Sequence, residues 1–158
     1  MKAKRPFEEV VSEYGPTVLR VCRAAVGIVD ADDAWSETFL SALDAYPRLP
    51  ADANVGAWLV TIAHRKSIDM IRRSRRRPVP IAEIPPQFVA VRANDRDLDL
   101  ARSVAALPEK QRLAVVYHYL AGLPYSEVAA IVGGSVEAAR RAASDGVANL
   151  RRTVGTMQ

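Results

Sequence analysis

One cysteine, Cys22, and two histidines in 158 residues leave no internal disulfide and too few ligands for a Cys/His zinc site. No run of about eighteen apolar residues occurs, so no segment is expected to enter a membrane. The basic start, Met1 to Pro6, leads into a polar amphipathic pattern and not into the apolar core of a signal peptide. The eight glycines form no phosphate-cradling loop, and His64 and His118 have no paired Ser, Cys or carboxylate constellation around them. Each histidine reads as a surface or packing residue. These absences lead to the expectation of a soluble, cytoplasmic protein that is not an enzyme and holds no metal or cofactor.

What is present is an ample core and an uneven charge. The chain is 49% hydrophobic, enough to bury a domain or two small ones. Residues 1–50 carry six basic and eight acidic side chains. Residues 64–77 carry Arg65, Lys66, Arg72, Arg73, Arg75, Arg76 and Arg77 against Asp69 alone, a local charge of +6. A cationic block of that density marks a polyanion contact, or more blandly a solvated helix end favoured by the dipole.

The periodicity is helical throughout. Pro6 suits a first turn, and Phe7, Val10, Val11 and Tyr14 follow at the spacing of one apolar face. Gly15-Pro16 is expected to break or kink this helix, Val18, Leu19 and Cys22 to resume it, and Gly27 to end it. Asp30 reads as the cap of a second helix whose apolar side is Trp35, Phe39, Leu40 and Leu43, with Trp35 and Leu43 as core. Pro47 and Pro50 turn it into a loop, Arg48 to Asn54. A longer helix runs from about Val55 to Arg75, apolar first and basic later.

Pro78, Pro80, Pro85 and Pro86 then fall within nine residues, which reads as an extended, semi-rigid linker. Beyond it helices are expected to end near Leu107, to run from Pro108 to Ala121 with a stop at Gly122, and to run from Tyr125 to Val132. Ser135 would cap a last helix, Val136 to Leu150. Ala129, small and four residues before Gly133, permits a close approach, and Gly133 or Gly134 supplies the positive φ of a helix-turn-helix. The fold class is therefore all-α: two small helical modules, 1–77 and 98–158, joined by a proline-rich linker, 78–97. No further C-terminal regulatory domain is expected after the last helix.

With these elements in order, the chain resembles the extracytoplasmic-function (ECF) group of sigma factors, the promoter-specificity subunits of bacterial RNA polymerase. The resemblance rests on Asp32-Asp33-Ala34-Trp35-Ser36-Glu37-Thr38-Phe39-Leu40, on Ala57-Trp58-Leu59-Val60-Thr61-Ile62-Ala63 followed by the Arg72–Arg77 run, and on Leu107-Pro108, Gln111-Arg112 and Tyr125-Ser126-Glu127-Val128-Ala129. It covers nearly the whole chain.

The resemblance implies sigma region 2 in the first module and region 4 in the second. Asp33, Glu37, Phe39 and Leu40 would dock on core RNA polymerase. Arg48, Asn54, Arg65, Lys66, Asp69, Arg72, Arg73 and Arg76 would contact promoter DNA at the minus-ten element, where a flipped base is captured. Asp69 reads equally as a structural partner of Arg65 or Arg73. Ser135, Glu137, Arg140, Arg141 and Ser144 would face the minus-thirty-five element. Arg65 stands where the family often has Asn, and Asp145 and Gly146 interrupt the last helix where relatives place cations. Binding by that module alone is expected to be weak. Twenty linker residues span roughly 60 Å when extended, enough for a spacer of about seventeen base pairs. An inhibitory anti-sigma factor is a further implied partner. An autonomous helix-turn-helix regulator is the alternative, although no dimerisation coiled coil or ligand pocket is evident. A scaffold or regulatory partner without DNA binding is a third.

Overall fold

The structure is a computed structural model that describes residues 4–76 and 95–155. Among the described residues the regular structure is entirely helical. Seven α-helices occur in the order α1 (Phe7–Val26), α2 (Ile28–Ala45), α3 (Val55–Arg76), α4 (Asp95–Ala105), α5 (Glu109–Val115), α6 (Tyr125–Val132) and α7 (Val136–Gly155). A short 3-10 turn, Tyr46–Arg48, follows α2, and a π-helical turn, Val116–Leu120, continues α5.

α1, α2 and α3 pack on one another through Val10, Val18, Val21, Cys22, Ala31, Ala34, Ala42, Leu59, Val60 and Ala63. Phe7, Trp35, Phe39, Tyr46 and Trp58 form an aromatic side to this core, with Trp35 and Phe39 only 4.5 Å apart between ring centroids. Thr38, the buried polar residue of α2, donates to the Ala34 carbonyl at 2.6 Å, so its burial leaves no unpaired hydroxyl. Burial pushes the Cys22 thiol up to about 11, against a smaller opposing hydrogen bond with Thr38.

Several expectations are corrected here. α1 runs unbroken through Gly15-Pro16. The Gly15 carbonyl accepts a 3.0 Å hydrogen bond from Trp35 Nε1, and packing against α2 holds the helix across the proline. α2 starts at Ile28 directly after Gly27, which places Asp30 in its first turn and not at its cap. The linker assigned to 78–97 lies outside the described residues up to 94, and its last three positions already belong to α4. α7 extends past Leu150 to Gly155.

In the second module α5, α6 and α7 enclose Leu113, Ala114, Val116, Leu123, Val128, Ala129, Ala139 and Ala143. The turn from α6 to α7 follows the sequence logic: Gly133 and Gly134 both take positive φ, 95° and 90°, and Ser135 Oγ accepts from the Ala138 N–H at 3.0 Å. At Gly146 α7 comes close to α5. A Cβ placed there would stand 2.6 Å from Val115 Cγ2 and 3.3 Å from the Gln111 carbonyl. Asn149 Nδ2 donates to Gln111 Oε1 at 2.6 Å and ties the same pair of helices together.

The two modules also pack on each other. α1 meets α4, α5 and the π turn, and α3 meets α6. Tyr117 is completely buried, and its hydroxyl lies 2.6 Å from His64 Nδ1 on α3. Burial lowers the His64 pKa below its ordinary value, a shift opposed by Glu109 on α5 and assisted by Arg65. In the unfolded chain the same imidazole gains its proton near the ordinary value, about 6.5, so below that pH the unfolded state binds more protons. Stability from this site is therefore full above about pH 6.5 and falls as the solution is acidified. Urea midpoints at about pH 7.5 and about pH 5.5 test this: the drop is expected to be larger in the wild type than in His64→Gln, and equal drops would refute it.

Candidate nucleic-acid interface

α2 buries a stripe of small residues and turns two leucines outward. Ala31, Ala34, Thr38 and Ala42 form the buried stripe, so α1 and α3 can approach closely. Leu40 and Leu43, three residues apart on the opposite side, are 67% and 53% exposed. Leu43 is thus not core, contrary to the expectation from its spacing. Phe39, 6% exposed and packed on Trp35 and Phe7, is core and is removed from the docking set. Asp33 is exposed, and Glu37 lies 3.4 Å from the Arg73 guanidinium.

That ion pair joins α2 to the basic part of α3. Glu37, Leu40 and Ser41 from one helix and Lys66, Asp69, Arg72 and Arg73 from the other line a groove of about 700 Å³. Its wall combines the apolar Leu40 with three cations, two sets of residues brought together only by the packing of α2 on α3. A signal was available: Glu37 and Leu40 recur at helical spacing on a face that the buried alanines leave free. Arg73 Nε reaches the backbone carbonyl of Asp69 at 3.5 Å. Arg65 is exposed beside this row, while the side chain of Arg76 lies outside the described residues.

The loop before α3 divides its two candidates. Arg48 is exposed, 3.9 Å from Asp44. Asn54 Oδ1 accepts from the Ala57 N–H at 3.1 Å, so this side chain caps α3, and that role satisfies the oxygen a base would otherwise use. In the second module Glu137, Arg140, Arg141 and Ser144 are all exposed on α7. The Arg140 guanidinium lies 5.4 Å from the centre of the Tyr125 ring, which in turn stacks on His118 at 3.9 Å. Sequence reading missed this cluster, because α6 and the π turn bring its members together only in three dimensions. Among the described residues no group of three or more His, Cys, Asp or Glu side chains is placed to hold a metal ion, and no helix is long and apolar enough to cross a membrane.

Comparison with known proteins gives matches over both modules. The Sigma-70 region 2 family matches residues 10–77, and Sigma-70, region 4 matches residues 97–150. The chain is 30% identical over 134 residues to the ECF RNA polymerase sigma factor SigC of Mycobacterium tuberculosis, covering 82% of this chain and 72% of the relative. It is 32% identical over 152 residues to the ECF RNA polymerase sigma factor SigD of the same organism, covering 87% and 71%. Among solved structures, the sigma factor RpoE in complex with the anti-sigma factor NepR from Bartonella quintana superposes with a TM-score of 0.81 at 20% identity, covering 96% of this chain and 98% of that one. CnrH in complex with the cytosolic domain of CnrY gives 0.70 at 22% identity, covering 96% and 89%. At those identities the two structures speak to the fold.

Proposed function

The chain belongs to the ECF group of RNA polymerase sigma factors, and from that premise we propose which of its surfaces perform the family's task. It binds core RNA polymerase and directs promoter-specific initiation of transcription. Sigma factors are regulatory subunits and not enzymes, and we assign this one no chemistry of its own. Its place of action is the cytoplasm, where polymerase and promoter are.

The docking surface in this reading is the outward face of α2: Asp33 and Glu37 for a basic partner, Leu40 and Leu43 as the apolar anchor. Exposed leucines side by side cost solubility, which marks them as covered by a partner in the working state. The observation that carries the reading is the groove in which this face runs directly into Lys66, Arg72 and Arg73 of α3. A protein that grips polymerase with α2 thereby presents the cations of α3 to the adjacent DNA backbone. Arg48 and Arg65 extend that row at the minus-ten element, and Asn54 acts by fixing the start of α3. α7 offers Arg140 and Arg141 to the minus-thirty-five element, with Tyr125 holding Arg140 by its ring. The module boundary is drawn with residues 1–77 as region 2 and the second module beginning at Asp95, where α4 starts. An anti-sigma factor covering these surfaces is proposed as a partner, by analogy with the complexes of the two structural relatives.

Gel filtration of the full chain with core bacterial RNA polymerase tests the reading. Stable co-migration, together with promoter-dependent transcripts from the assembled enzyme, is the expected result. A chain with intact helical circular dichroism that fails to co-migrate would overturn it.

A further inference from the structure

Lys4 and Arg5, just ahead of α1, hold the far end of α2. The Lys4 ammonium donates to the carbonyls of Tyr46 and Leu49, the second at 2.5 Å, and lies 4.7 Å from the centre of the Tyr46 ring. In return the Tyr46 hydroxyl donates to the Arg5 carbonyl at 2.6 Å. Arg5 is itself fixed to α1, its guanidinium bridging Glu9 and Glu13. The buried Tyr46 ring packs with Phe7 and Trp58, at 5.4 Å and 6.3 Å between centroids. A strap from the root of α1 thus closes over the 3-10 turn Tyr46–Arg48.

The loop Arg48 to Asn54 departs from those same carbonyls. Carbonyls at a helix end have no partner within the helix, and an ammonium there both satisfies them and meets the negative end of the dipole. Two of the three Lys4 donors are committed in this way. The other end of the loop is fixed by the Asn54 cap and by Tyr14 of α1, whose ring carbon lies 3.2 Å from where a Cβ on Gly56 would stand. Between these anchors Pro50, Ala51 and Asp52 are exposed. A loop ordered before its ligand arrives loses less entropy on binding.

We propose that Lys4, with Tyr46 as its counterpart, is a positioning residue for base capture at the minus-ten element: the strap presets the Arg48–Asn54 loop to receive the unstacked base. This role rests on the reading of that loop as a minus-ten contact. Lys4 acts through the loop and not by touching DNA, so its loss slows promoter opening without altering attachment to polymerase.

Hydrogen exchange of the free chain tests the strap by itself. Lys4→Met keeps an unbranched stem and removes the charge, and Lys4 is exposed, so the core is untouched. The hydrogen-bonded amides of Leu49 and Ala53 are expected to exchange about tenfold faster in this variant, and unchanged exchange overturns the strap. Holoenzyme assembled with core bacterial polymerase is then given the duplex that the wild type selects best from a random-sequence pool. Opening, read from a fluorescent dye in the melted segment, is expected to slow about tenfold in Lys4→Met and in Tyr46→Phe, with polymerase affinity unchanged. The slope of DNA affinity against salt is expected to stay as it is. A slope reduced by about one in Lys4→Met marks a direct phosphate contact and overturns the positioning role. Arg48→Ala, a change in the loop itself, separates the two readings. Slow opening with Arg48→Ala but not with Lys4→Met refutes the strap alone. Normal opening with Arg48→Ala refutes the minus-ten assignment of the loop, and the positioning role falls with it.

Discussion

Replacing Leu40 and Leu43 together by aspartate is expected to weaken association with core polymerase by about a thousandfold while leaving the fold untouched. Both side chains are largely exposed, so neither contributes to the core, and surface substitutions of this kind stay within about 0.5 kcal/mol in stability. At an interface the same residues are anchors, each costing about 2 kcal/mol or more when lost. Two of them give about 4 kcal/mol, which is close to three decades in Kd. Binding measured by fluorescence anisotropy, with the thermal midpoint as control, separates the two effects. Unchanged affinity would remove α2 as the docking face. Asp33→Lys reports on the same surface with a smaller effect, since an exposed rim charge alters mainly the association rate. Glu37→Lys is less informative, because it also breaks the pair with Arg73.

The second large effect is a reversal of sign at Gly146. In an exposed helix interior, glycine to alanine stabilises by about 1 kcal/mol. Here the new methyl would stand 2.6 Å from Val115 Cγ2, a separation that forces α7 away from α5. Gly146→Ala is therefore expected to destabilise the chain, and Gly146→Leu to cost about 3 kcal/mol or more. Shortening the opposing side chain tests the cause: Val115→Ala should recover much of the loss in the Gly146→Ala background, giving a coupling of at least about 1 kcal/mol in a urea-melting cycle. A stabilising Gly146→Ala would contradict the close packing. The glycine that looked like a weakness of the last helix is the residue that lets α7 pack against α5.

How far the sequence carries differs by feature. Helix identity was legible because the three-and-four spacing is strong in α1, α3 and α7. The turn at Gly133-Gly134 was legible because a positive φ has few chemical solutions, and Ser135 because an N-cap needs an oxygen at that place. Pro16 misled, since local propensity predicts a break and only tertiary packing from Trp35 shows that the helix survives. The orientation of α2 was legible only in part. Phe39, Leu40 and Leu43 are all apolar, and the choice of which faces inward depends on how tightly α1 and α3 close over Ala34, Thr38 and Ala42. Asn54 has a side chain equally suited to a base and to a helix terminus, and the local backbone decided between them. The His64–Tyr117 contact could not be read at all, because 53 positions separate its members and each looks ordinary on its own.

The lone thiol has a consequence for signalling. With its acid strength reduced so that ionisation needs about pH 11, Cys22 is almost wholly protonated at neutral pH, and the protonated form is a poor nucleophile toward peroxide. It is also fully buried on the inner side of α1, out of reach of glutathione-sized reagents. An oxidative stimulus therefore has no thiol entry point among the described residues, and a bacterium that wished to report such a stimulus through this protein would have to sense it in another molecule.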